Sequence, residues 1–248
     1  MKRESLKLNT KTFNSILEMR ERLAQKSNLN RYDYDERLLK EYINPPLLEN
    51  HNLESAYFKA TLINSFYSTR MGAETLFKVA KKIEIYKDKI NDILFSRHVV
   101  QEQLNSLNPF TEIKVERGED SYGPYSFLTK YLAIHDRLLC YHHSQHKQEY
   151  SRLPIYDQLV SRCIVNLENK KQLEATHNNL RNYQNLYRII SQIAQMMNYG
   201  DNLTSVDNVF WAIGKYLWGN NKAKSIKEFN EEAMAGKIIK NMEESLSL

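Results

Sequence analysis

At 248 residues the chain is long enough for one large domain or two small ones. Its 42% hydrophobic and 26% charged residues are ordinary for a globular protein, and a net charge of +5 is a mild basic bias compatible with a polyanionic partner. Seven glycines and five prolines supply few tight turns, which argues against all-β folds and against folds built on glycine-rich loops; two cysteines, Cys140 and Cys163, cannot make a disulfide scaffold.

The N-terminus, Met1-Lys2-Arg3-Glu4, leads into polar sequence with no apolar h-region, so no signal peptide is expected. Residues 10–26 then place Phe13, Ile16, Leu17, Leu23 and Ala24 at helical spacing. A short segment with Leu38, Leu39, Tyr42 and Ile43 stops at Pro45-Pro46, because a residue before proline is pushed out of the α region. Residues 52–69 predict a helix with Leu53, Ala56, Tyr57, Ala60, Ile63, Phe66 and Tyr67 on one face, and Gly72 punctuates it. Residues 73–94 continue the pattern as one stripe, with Lys78, Lys81, Lys82, Lys87 and Lys89 at polar positions. A shorter helix over 98–107 precedes a polar loop over 108–123, in which 112–116 is the best strand candidate.

Pro124 suits the first turn of the next helix, which carries Phe127, Leu128, Tyr131, Leu132, Ile134 and His135. Residues 140–152 are polar and histidine-rich, and Leu153-Pro154-Ile155-Tyr156-Asp157 breaks the chain before a helix with Leu159, Val160, Cys163 and Ile164. The run 171–198 is strongly periodic and ends by Gly200. Thr204 or Ser205 can cap a helix with Val209, Phe210, Ile213 and Leu217, and 223–246 is a last amphipathic segment. The expected fold is a compact all-α multi-helix bundle. Residues 1–50 would be an N-terminal helical extension, 51–222 the main domain, and 223–248 a C-terminal helix packed on it. No window approaches the roughly 18 apolar residues of a membrane span, so a cytoplasmic location without membrane contact is expected.

No P-loop, dinucleotide fingerprint, HExxH, CxxC pair or GxSxG occurs, which argues against the enzyme classes that use them. Cys140, His142, His143 and His146 cluster within seven positions. On a helix His142 and His146 could share a metal, but a solvated loop accounts for the cluster too, no second ligand pair stands at a standard spacing, and no metal or cofactor is expected. Lys78, Lys81 and Lys82 form either a solvated helix face or a phosphate-facing surface.

The segment from Ser126 to Val160 carries more specific chemistry. Lys130 lies near the start of an apolar helix, where it is either an exposed helix residue or an amine that desolvation can make nucleophilic. Asp157 opens the following helix after a proline-containing turn, where a carboxylate either caps the helix or stabilises a developing cation. Thr129-Lys130 and Pro154-Ile155-Tyr156-Asp157 resemble the helix-hairpin-helix DNA glycosylase superfamily, in its 8-oxoguanine glycosylase-like branch. The segments Leu62-Ile63-Asn64-Ser65-Phe66-Tyr67-Ser68-Thr69 and Val206-Asp207-Asn208-Val209-Phe210-Trp211-Ala212-Ile213-Gly214-Lys215 look like small bacterial members of that branch. The resemblance spans roughly residues 50–220. It departs from the family at Ser126 and Leu128, which stand where the hairpin commonly has glycines.

The resemblance implies a glycosylase-like helical domain over 51–222. It implies a DNA glycosylase with AP-lyase activity, in which Lys130 attacks the sugar C1′ of a flipped nucleotide and forms a Schiff base while Asp157 stabilises the oxocarbenium-like charge. Phe210 and Trp211 are the candidates to stack on the base, and Lys78, Lys81 and Lys82 to contact DNA. The partner would be DNA carrying a modified base or an abasic site, and the protein a monomer. Two other readings stay open: a non-catalytic helical nucleic-acid-binding protein, in defence or regulation, and a helical protein–protein interaction domain.

Overall fold

The computed structural model describes residues 4–26, 37–66, 71–96, 99, 101–111, 115–117, 120–122, 124–143, 150–219 and 224–246. Among them the fold is all-α, with one short hairpin. In chain order the helices are α1 (Thr10–Lys26), α2 (Pro45–Leu48), α3 (Leu53–Phe66), α4 (Ala73–Ile85), α5 (Lys87–Leu94) and α6 (Gln101–Thr111). The hairpin strands β1 (Val115–Arg117) and β2 (Asp120–Tyr122) follow, then α7 (Tyr125–His143), α8 (Gln158–Ile164), α9 (His177–Leu180), α10 (Tyr183–Met196), α11 (Leu203–Trp218), α12 (Ile226–Met234) and α13 (Ile238–Leu246). No helix among the described residues is long and apolar enough to cross a membrane.

The chain divides into two units whose segments alternate. Residues 1–33, 157–180 and 188–248 form one; residues 34–156 and 181–187 form the other. The first unit is built on α11, which packs against α1, α8 and α13 and buries Val206, Val209, Phe210, Ile213 and Leu217. Gly214 permits the close approach of α8, since a Cβ built there would lie 2.6 Å from that of Leu159. In the same unit the buried Leu6 exchanges backbone hydrogen bonds with Asn166 and Glu168 at 2.7 and 3.0 Å.

The second unit is built on α7, packed against α2, α3, α5 and α6. Its buried residues run almost unbroken from Phe127 to Leu139. Asp136 has no exposed surface and accepts from Arg152 Nε at 3.1 Å and Nη2 at 2.5 Å, from the Arg152 backbone N–H at 2.5 Å and from Ser151 Oγ at 3.2 Å. The same guanidinium donates to the carbonyls of Leu94 and Ser96 at 3.1 and 2.7 Å. A buried carboxylate so fully satisfied fixes Ser151 and Arg152 onto both α7 and the end of α5.

Several elements differ from the sequence periodicity. The stripe 73–94 is two helices, because the Tyr86 amide bonds to both Lys82 and Ile83 carbonyls and tightens the last turn of α4. The run 171–198 is broken twice: Glu174 takes a left-handed φ of 53°, and Asn182 caps α10 by accepting from the Asn185 N–H at 3.0 Å. The segment 223–246 splits at Gly236, whose φ of 69° suits glycine. Asn202, rather than Thr204 or Ser205, caps α11, its amide oxygen reaching the Ser205 N–H at 3.1 Å. The double proline ends one helical stretch, at residues 37–42, and starts another, since proline is accommodated at the first position of α2. The loop expected over 108–123 instead holds the end of α6 and a hairpin in the register Val115↔Tyr122; of the 112–116 candidate, residues 112–114 lie outside the described residues.

Candidate nucleic-acid interface

The lysines of α4 and α5 reach solvent because the helical period turns Leu76, Val79, Ala80, Ile83 and Ile90 inward. Lys78, Lys81, Lys87 and Lys89 are exposed and Lys82 is half-buried. Two of the acids on these helices are engaged, Glu74 with Lys78 at 2.8 Å and Glu84 with the Leu53 N–H at 3.1 Å, at the start of α3, while Asp88 stands exposed between Lys87 and Lys89. The hydrogen bond from Lys78, then its charge, hold the Glu74 carboxyl below its ordinary range. Among the described residues no carboxylate forms an ion pair with Lys81, Lys82, Lys87 or Lys89. Aromatic rings stand between them. Lys81 Nζ lies 4.7 Å from the Phe77 ring centre, and Lys82 and Lys89 each lie 5.3 Å from that of Tyr86. Phe77 is 41% exposed and edges against Tyr57 at 6.0 Å. Unpaired cations beside exposed rings can meet phosphates and stack on bases.

Lys130 and Asp157 fall in different units. Lys130 is half-buried, in a run of α7 whose neighbours Phe127, Leu128, Thr129 and Tyr131 are buried. Thr129 donates to the Ser126 carbonyl at 3.0 Å and accepts from the Tyr156 N–H at 2.9 Å, which ties the proline-containing turn to α7. Asp157 is the N-cap of α8 and accepts from the Leu159 N–H at 2.8 Å.

Phe210 and Trp211 are adjacent on α11 but face different ways. Phe210 has no exposed surface and belongs to the core of its unit. Trp211 is half-buried, with Arg20 Cζ at 5.5 Å and Lys215 Nζ at 5.4 Å from its ring centre.

In the histidine-rich segment, α7 extends through His143, which lies 3.8 Å from Glu49, while His146 lies outside the described residues. Burial and the nearby Asp136 carboxylate push the Cys140 thiol up to about 11, so it is not a thiolate at neutral pH. No group of three or more metal-ligating side chains converges among the described residues.

One cluster escaped the sequence reading. Lys59 is fully buried, and its Nζ donates to the carbonyls of Leu47, Leu48 and Asn50 at 3.1, 3.4 and 2.7 Å. It also lies 3.2 Å from His51 Nδ1, which the Tyr131 hydroxyl meets at 2.9 Å. His135 stacks on Tyr131 with ring centres 4.0 Å apart, and its Nδ1–H donates to the Tyr131 carbonyl at 2.7 Å. Burial pushes Lys59 down to about 7. Burial, then the Lys59 charge, pushes His51 down to about 3. The signal was present in the sequence: Lys59 stands in the inward register of Ser55, Ala56, Ala60 and Ile63. Enclosed by carbonyls, the amine holds the turn after α2.

Residues 16–139, half of the chain, match the family model HI_0787_N, described as an N-terminal domain. No curated protein and no solved structure matches the chain.

Proposed function

This chain belongs to the HI_0787_N family, and we propose that it is a helical nucleic-acid-binding protein whose α4–α5 face meets the phosphate backbone. One observation carries the reading: among the described residues Lys81, Lys82, Lys87 and Lys89 form no ion pair with a carboxylate, and Lys81, Lys82 and Lys89 lie beside the Phe77 and Tyr86 rings. The face lies within the stretch that defines the family, residues 16–139.

Base excision is the more specific form of this proposal and rests on the resemblance around Lys130. What favours it is that Lys130 reaches partial exposure from an otherwise buried stretch of α7. In that form the Lys130 amine displaces the base at the sugar C1′, the base leaving with the bonding pair and taking a proton; the C1′–O4′ bond then breaks as O4′ is protonated and the amine loses a proton, and from the resulting Schiff base loss of a C2′ proton expels the 3′-phosphate and cuts the strand.

Two measurements test the two levels. DNA affinity is expected to fall steeply with salt, and Lys81→Gln, Lys82→Gln and Lys89→Gln together should flatten the log–log salt slope by about 0.9 for each duplex phosphate contact removed. Affinity that ignores salt refutes the binding proposal. Borohydride treatment with DNA containing modified bases or abasic sites should trap a covalent complex that Lys130→Gln abolishes. Salt-dependent binding without trapping leaves a binding protein and removes the excision chemistry.

A further inference from the structure

We propose that the Trp211–Lys215–Trp218 face of α11, with Arg162 stacked on Trp218, is a second DNA-backbone contact, on the other unit of the chain. This rests on the nucleic-acid reading above but on different residues. Positions 211, 215 and 218 follow the i, i+4, i+7 spacing that places side chains on one helix face, over about 10 Å of axis. Arg162, exposed in the last turn of α8, lies with its Cζ 4.3 Å from the Trp218 ring centre. Lys215 Nζ lies 5.4 Å from the Trp211 ring centre.

These cations are held by rings, and the difference from an ion pair is physical. A carboxylate partner would order the side chain and cancel its charge. An indole orders it by cation–π attraction and leaves the charge uncancelled. Among the described residues no carboxylate forms an ion pair with Arg162 or Lys215. A guanidinium lying on an indole keeps its N–H donors around its rim, and less freedom is lost when a phosphate binds it. Asp207, one turn before Trp211 on the same face, bounds the basic stretch. Duplex DNA carries about one charge per 1.7 Å of axis, so a stripe about 10 Å long meets several phosphates.

The chain contains two tryptophans, and both lie on this face. Their emission therefore reports on it directly. Full-length protein is titrated with a labelled 20-base-pair duplex at low salt, following label anisotropy and tryptophan emission together. Emission should change with the same midpoint as anisotropy and return when salt is added. Arg162→Gln and Lys215→Gln, with helix content checked by circular dichroism, should each flatten the salt slope by about 0.9. Anisotropy that saturates while wild-type emission stays constant overturns this second contact, whatever the variants do. So does a salt slope that falls with the α4–α5 variants yet is untouched by Arg162→Gln and Lys215→Gln. No DNA binding at all overturns the α4–α5 proposal as well. An equal emission response to poly-glutamate overturns the assignment to DNA in favour of an acidic peptide.

Discussion

Lys59 stands where the helical period calls for an apolar side chain, and its neighbours His51 and His135 are buried with it. None of the three is easily charged in the fold. Burial holds Lys59 at about 7 and, with Lys59's charge, His51 at about 3; burial first, then the charges of Lys59 and His51, depress His135 against its bond to the Tyr131 carbonyl. The unfolded chain protonates His51 near its ordinary value of 6.5, so from about 6.5 down to about 3 it binds a proton that the folded chain does not. Stability is therefore lost as pH falls through that window, at up to about 1.4 kcal/mol per pH unit for this one group. Lys59 acts with the same sign between its ordinary 10.5 and about 7. The urea midpoint is expected to rise from pH 4.5 to 7 and again from 7 to 9.5. Lys59→Met should flatten the alkaline limb and His51→Gln the acid limb; a profile already flat in the wild type contradicts this account of the cluster.

At the scale of elements, Gly214 decides how closely α8 and α11 pack. Its missing side chain leaves room for Leu159, whose Cβ would lie 2.6 Å and whose backbone 3.3 Å from a Cβ at position 214. The backbone of α8 cannot yield as a flexible side chain would. Gly214→Ala is expected to cost about 1–3 kcal/mol through overpacking, despite alanine's better helix propensity. The measurement is the change in urea unfolding free energy, and a gain in stability would show that the helices can separate freely. Helix existence was legible in the sequence because apolar spacing reports which face is buried. The breaks at Tyr86, Glu174 and Asn182 were not, because each depends on a local hydrogen bond or backbone twist that leaves the apolar period intact. The same limit applies to the site. Periodicity marked the lysines of α4–α5 as outward, but could not show that Glu84 is engaged at the start of α3 or that Arg162 lies on Trp218.

At the scale of the whole molecule, the alternation of the two units along the chain was not legible, since no composition shift marks their four boundaries, and α10 itself divides at Tyr187–Arg188. This bears on the stretch that defines the family. Residues 16–139 take 16–33 from one unit and end inside α7, three residues after Asp136 and well before Arg152. A chain cut there keeps a carboxylate in a site with no exposed surface and removes the guanidinium and backbone N–H that satisfy it. Breaking a buried pair in this way costs about 3–5 kcal/mol, against a whole-domain stability of about 5–15. It also removes Tyr183, fully buried in the same unit, whose N–H donates to Asn108 at 3.0 Å. The fragment 16–139 is thus expected to unfold in urea without a cooperative transition. The fragment 34–187, which retains Arg152 and Tyr183, should keep one. Equal cooperativity in the two fragments would mean that the Asp136–Arg152 pair does not hold this unit together.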